Sequence, residues 1–129
     1  MALTHIVAAR NAATDAVVDR VDLGAANPQA RIAFRSAVPA DVVVCDMAAP
    51  PAFGAAAAGI AAAAAIAQGV AGAPGTVNSF QIRDRDNNAI ISGTVSAVGG
   101  GGDIEISAVG FAASDTLDIT ALTYQALIA

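Results

Sequence analysis

Apolar residues at Ile6, Ala9, Ala13, Val17 and Val21 recur at spacings of three and four, the period of a helix that turns one face to a core. Thr4 stands where an N-cap belongs and Gly24 where a C-terminal glycine belongs, so the pattern predicts an amphipathic helix over about residues 5–23. Arg10, Asp15, Asp19, Arg20 and Asp22 fall between the apolar positions and are assigned to its solvent face. Asn27-Pro28 then breaks the chain, and the period changes to two. Ile32 and Phe34 alternate with Arg31 and Arg35, as in a half-exposed strand. After Pro39, the β-branched run from Val42 to Met47 reads as a more buried strand, ended by Pro50-Pro51.

Residues 53–70 carry no such signature. Alanine is the best intrinsic helix former, which favours helix, but Gly54, Gly59 and Gly69 punctuate the stretch. From Ser79 the pattern is β again: Phe80 and Ile82 alternate with Gln81 and Arg83, Asp86-Asn87-Asn88 supplies a turn, and Ile90 to Val98 runs back as a hairpin partner. Gly99 to Gly102 reads as a flexible connection. Ile104 and Ile106 then alternate with Asp103 and Glu105, a turn falls near Ser114-Asp115, and Leu117 to Leu127 alternates once more. One N-terminal helix and about six strands imply a mainly β, α+β domain of β-sandwich-like form, spanning residues 1–129 as a single unit.

Composition makes the expected core thin. The chain is 56% hydrophobic, but 35 of its 129 residues are alanine. A buried methyl contributes roughly 0.8 kcal/mol, against about 1.5–3 kcal/mol for Val, Leu, Ile or Phe. Association with neighbours is therefore expected to supply part of the burial. The net charge is −5, with no lysine and with six arginines dispersed at positions 10, 20, 31, 35, 83 and 85. That dispersal excludes nucleic-acid binding, which needs clustered cations for the phosphates. Gly54 to Ala73 is uncharged and long enough to span a bilayer, but alanine and glycine lack the Leu, Ile and Phe content that drives insertion, so no membrane partner is expected. Arg10, Asn11 and Asp15 interrupt the apolar run that a secretion signal requires.

Side chains that do chemistry are scarce. There is one His, one Cys and one Glu, and catalysis, metal binding and cofactor binding each need convergent groups of these kinds. Catalytic, metal and cofactor residues are accordingly expected to be absent. Asp84-Arg85-Asp86-Asn87-Asn88 matches the first five places of a calcium loop, D-x-D-x-N, but Ala89 stands where the turn needs Gly, and Val95 where a bidentate Glu is needed. A hairpin turn accounts for these residues more simply. Cys45 and His5 are the only pair from which a small hydrolase could be assembled. Gly99 to Gly102 lacks the Lys and Ser/Thr of a phosphate loop, and Asp115 and Asp118 are spaced to lie on opposite faces of a strand.

Taken in order, several segments resemble a group of small structural proteins encoded among the head and tail genes of tailed bacteriophages. These are the helix AARNAATDAVVD (8–19), a strand, Pro51-Ala52-Phe53-Gly54-Ala55-Ala56, the Ala-rich stretch to Ala67, Phe80-Gln81-Ile82-Arg83-Asp84 and Gly93-Thr94-Val95. The resemblance runs from Leu3 to about Leu122 and rests on small residues and hairpin patterns, with departures at Gly99–Gly102 and at Ala61–Ala65. It implies an extended rather than helical chain over residues 53–70. It further implies a capsid decoration or cement protein that binds the outside of the phage head after synthesis in the host cytoplasm, with the major capsid protein as partner and a homotrimer as the assembled form. A head–tail connector or tail component is the alternative. Within the trimer picture, Phe53, Ala57, Ile60, Ala63 and Ile66 are expected to contribute to subunit contacts.

Overall fold

The computed structural model describes residues 3–127. One helix, α1 (Val7–Val21), is followed by ten strands: β1 (Arg31–Ser36), β2 (Asp41–Asp46), β3 (Ile60–Ala62), β4 (Gly69–Ala71), β5 (Gly75–Arg83), β6 (Ala89–Ala97), β7 (Ile104–Ile106), β8 (Gly110–Phe111), β9 (Thr116–Leu117) and β10 (Thr123–Gln125). The fold is mainly β with one helix, the class that the residue pattern implies.

Seven strands form a path in the order β7-β6-β5-β1-β2-β4-β9, with β8 joined to the start of β5, while β3 and β10 make a separate pair. Every pairing along the path is antiparallel except β6 with β7. That parallel pair is connected by only six residues, 98–103, although parallel strands ordinarily need a crossover of a dozen or more. Gly99 and Gly101, at φ +88° and +80°, let the chain reverse twice in this space, a backbone that side-chain-bearing residues resist.

Cross-strand partners share a face, and the register therefore sorts the side chains. Ile32 stands opposite Cys45 and Ile82, and Phe34 opposite Val43 and Phe80, so these six line one face; all are buried. On the other face Arg31 stands opposite Asp46 and Arg83, and Ala33 opposite Val44 and Gln81. The sheet curls over its apolar face and brings its two ends to one cavity: Ile104–Ile106 of β7 and Leu117 of β9, at opposite ends of the strand path, line it with Ile32 and Phe34. A single curled sheet thus supplies the two layers that a sandwich would draw from separate sheets.

The helix differs in detail from its expectation. Ile6, not Thr4, is the N-cap, and it offers no side-chain hydrogen bond; the C-cap is Asp22, with Gly24 at φ +109° two residues beyond. Its buried residues are Thr14, Val18 and Val21, whereas Ile6 is exposed. Val18 and Val21 each contribute roughly 1.5–3 kcal/mol of burial. Two of the carboxylates assigned to solvent point inward as well. Asp15 Oδ1 accepts from the Ala56 N–H at 2.8 Å, and Asp22 Oδ1 from the Ala52 N–H at 2.9 Å.

Residues 53–70 are extended, not helical. Gly54 N donates to Ala62 O, and Ala57 and Ile60 exchange both backbone hydrogen bonds, so residues 53–63 form a small hairpin. Its tip is Ala58-Gly59, with φ +52° and +82°, the positive pair that a tight right-twisted hairpin turn requires. The physical reason that helix propensity loses is visible in the bonding. Asn11 Oδ1 accepts from Gly59 N at 2.7 Å, and Thr14 Oγ1 donates to Gly59 O at 2.7 Å while accepting from Ala126 N at 3.1 Å. An alanine hairpin has no polar side chains of its own; Asn11, Thr14 and Asp15 supply them to its backbone, and Asp22 holds Ala52 just before it. Among the described residues no helix is long and apolar enough to cross a membrane.

Candidate functional site

The hairpin of β5 and β6 turns at the residues that mimic a calcium loop, and the turn consumes them. Asp84 Oδ1 accepts from the backbone N–H groups of Asp86 and Asn88, both at 2.9 Å, and Asn87 sits at φ +68°. Asp86 Oδ1 in turn accepts from the N–H groups of Ala25 and Ala26 at 2.9 and 3.0 Å, and these bonds hold its carboxyl below the ordinary 3.8. The tip is thereby tied to the exit of α1. Asn27 N and Nδ2 both donate to Arg85 O, and Arg85 Nε donates back to Asn27 O. Among the described residues no three His, Cys, Asp or Glu side chains gather where they could hold a metal.

Cys45 and His5 are differently placed. Cys45 is wholly buried on the apolar face of β2, and desolvation pushes its thiol up to about 11, whereas a nucleophilic cysteine needs a lowered pKa. His5 is exposed, ahead of the helix.

The outer face of β1, β2 and β5 carries an ion network. Arg83 Nη1 and Nη2 each donate to Asp41 at 2.8 Å, Arg35 Nε donates to Asp41 Oδ1 at 2.9 Å, and Arg31 pairs with Asp46 at 3.3 Å. Arg83 stands opposite Arg31 and Asp41 opposite Arg35, so the Arg83–Asp41 pair joins β5 to β2 across the intervening β1, in which Ala33 is fully buried. Hydrogen bonding from Arg83 is the largest influence holding the Asp41 carboxyl below 3.8, with Arg35 adding to it against the opposing cost of burial. Three guanidinium groups on this face thus share two carboxylates, and every one of them is held by a partner in the same subunit.

The five residues expected at a subunit contact divide. Phe53 is only 4% exposed and belongs to the core of its own subunit, because its bridge to Ala63 sets it into the apolar cluster. Ala63 and Ile66 are half-buried against that cluster. Ala57 is exposed and Ile60 is 41% exposed, both beside the hairpin tip.

A larger surface lies elsewhere. From residue 96 to residue 127 no residue is buried, although this stretch carries Ile104, Ile106, Val109, Phe111, Leu117, Ile119, Leu122 and Tyr124. These side chains lie against the core without closing over it. The cavity between β7 and residues 117–122 has a volume of about 230 Å³, and a second, of about 370 Å³, opens between β6, β7 and β10. Ile104 and Leu122 line both. Among the described residues β7 pairs only with β6, and residues 118–121 pair with no strand, so the two edges flank an open seam. Glu105 and Asp118 stand at its rim. On the Asp118 side, Gln68 Nε2, just ahead of β4, donates to Asp118 Oδ2 at 3.1 Å. Alternation along residues 104–106 and 117–122 is the sequence signal of this surface; what it does not reveal is that the two segments face each other. Comparisons with protein-family models, with curated proteins and with solved structures find no match to the chain.

Proposed function

We propose that this protein is a capsid decoration or cement protein of a tailed bacteriophage, bound as a homotrimer to the outside of the head, with the major capsid protein as its partner. The observation that carries the reading is the apolar layer of residues 96–127, in which eight large apolar side chains lie against the core and no residue is buried. A chain with a thin core and an uncovered layer gains stability from assembly. The resemblance of the segment order to that of small phage head and tail proteins suggests the kind of assembly. A subunit that binds only the assembled shell stabilises that shell by mass action, and such a task needs surface rather than reactive side chains.

Copy number tests the reading. Quantitative mass spectrometry of purified virions should find this protein at an abundance comparable to that of the major capsid protein. A few copies per particle would transfer it to the connector or tail, and absence from virions would sink both structural roles.

A further inference from the structure

The groove beside β7 is bordered by two segments of the same pattern. On β7, Ile104 and Ile106 are half-buried toward the cavity, and Glu105 between them is exposed, its carboxylate accepting from the Gly101 N–H at 2.9 Å on the outer side. Across the opening, Leu117 and Ile119 are half-buried, and Asp118 between them is exposed, accepting from Gln68 Nε2 at 3.1 Å. Each border thus sets apolar side chains inward and one carboxylate outward, the alternation of a strand. Among the described residues β7 pairs with β6 alone, so its other side is a free edge. The donors that hold Glu105 and Asp118 are neutral and leave both charges in place. No arginine lines the cavity, and none follows Arg85 in the chain, although five acids do.

We propose, resting on the structural role put forward above for this layer, that the groove takes an extended segment of a second protein in which apolar and basic side chains alternate. Laid along the free edge of β7, such a segment turns every other side chain inward onto Ile104, Leu117 and Ile119, and the rest outward between Glu105 and Asp118. Arginine or lysine at the outward positions meets two carboxylates that hold no cation of their own, and this charge complementarity selects the partner. A second copy of the chain is the poorer occupant. Its own groove is acidic, and its Arg31, Arg35 and Arg83 are already held by Asp41 and Asp46. Contacts between copies fall outside the groove, where Ile60, Val70 and Val98 are exposed.

Fluorescence anisotropy of labelled peptides with the full chain tests it. A peptide alternating valine and arginine should bind saturably and lose affinity between about 0.05 and 0.5 M salt, as screening rises. Replacing its arginines by serine, or its valines by serine, should weaken binding in each case. The double variant Glu105→Gln, Asp118→Asn keeps an acceptor oxygen at both sites and removes both charges. It should bind the valine-arginine peptide about tenfold more weakly, with an unchanged circular dichroism spectrum. Asp19→Asn, which removes an exposed acid of α1, should leave the affinity unchanged. Absence of binding, indifference to the double variant, an equal loss from Asp19→Asn, or equal binding of a serine-arginine peptide would each overturn the groove. Light scattering in which the peptide parts copies of the chain from one another would give the groove to a second copy and overturn it too. Peptide binding is read without virions, so its failure leaves the copy-number result standing, whereas absence from virions removes the shell and leaves the groove.

Discussion

Ala58 holds φ +52° at the tip of the 53–63 hairpin, where a β-carbon crowds the following carbonyl. Asparagine tolerates this region and is the preferred partner of a following glycine in such turns. Ala58→Asn should therefore stabilise the fold by up to about 1 kcal/mol, measured as a higher midpoint of urea unfolding at unchanged slope. Gly69 illustrates the opposite constraint. A β-carbon there would lie 2.5 Å from Cys45 Sγ and 2.7 Å from Val43 Cγ1, both fixed in the core. Gly69→Ala should cost about 1–3 kcal/mol by overpacking, and a midpoint unchanged from the parent protein would refute the packing described. Neither requirement is readable locally, since one depends on a turn that helix propensity argues against and the other on strands β2 and β4 meeting.

Between elements, α1 is joined to the alanine hairpin by polar bonds to partners 41 to 48 residues away for Asp15, Thr14 and Asn11. Thr14 is fully buried, so Thr14→Val keeps its shape and orphans Gly59 O and Ala126 N. A loss of about 1–3 kcal/mol follows; the Ser variant, which keeps the hydroxyl, should recover most of it. Asp41 joins β2 to β5 in the same way across the outer face. Its carboxyl titrates below 3.8 when folded and near the ordinary value when unfolded. Its contribution is thus fully present above the unfolded pKa and lost as pH falls through the folded one. The difference in melting temperature between the parent protein and Asp41→Asn should be constant near neutrality and shrink below about pH 4; a difference that persists at pH 2 would exclude the ion network as its source. The hairpin of β5 and β6 was legible in Asp86-Asn87-Asn88 because the bonds that shape this turn, from the N–H groups of Asp86 and Asn88 to Asp84, are local. The helix was legible in its existence but not in its orientation, because alanine marks no distinct apolar stripe and the residues that decide the facing bond to distant backbone.

For the molecule as a whole, a curled sheet with an open seam and an unburied layer over residues 96–127 should gain stability on association. Thermal melting should rise with protein concentration, by the mass-action dependence that a monomer lacks. A melt independent of concentration across a hundredfold range would mean that the layer stays open in solution. The sequence by itself determined the class of the fold, the positions of the helix and the principal strands, and the poverty of reactive groups, since period, turn chemistry and composition act over a few residues. The tertiary structure alone decided that residues 53–63 fold back as a hairpin, that Asp15 and Asp22 face inward, that Phe53 is core, and that β7 and residues 117–122 flank one seam. Each of those outcomes depends on backbone groups and strand edges from remote parts of the chain satisfying or failing to satisfy one another, and no local pattern of side chains records that.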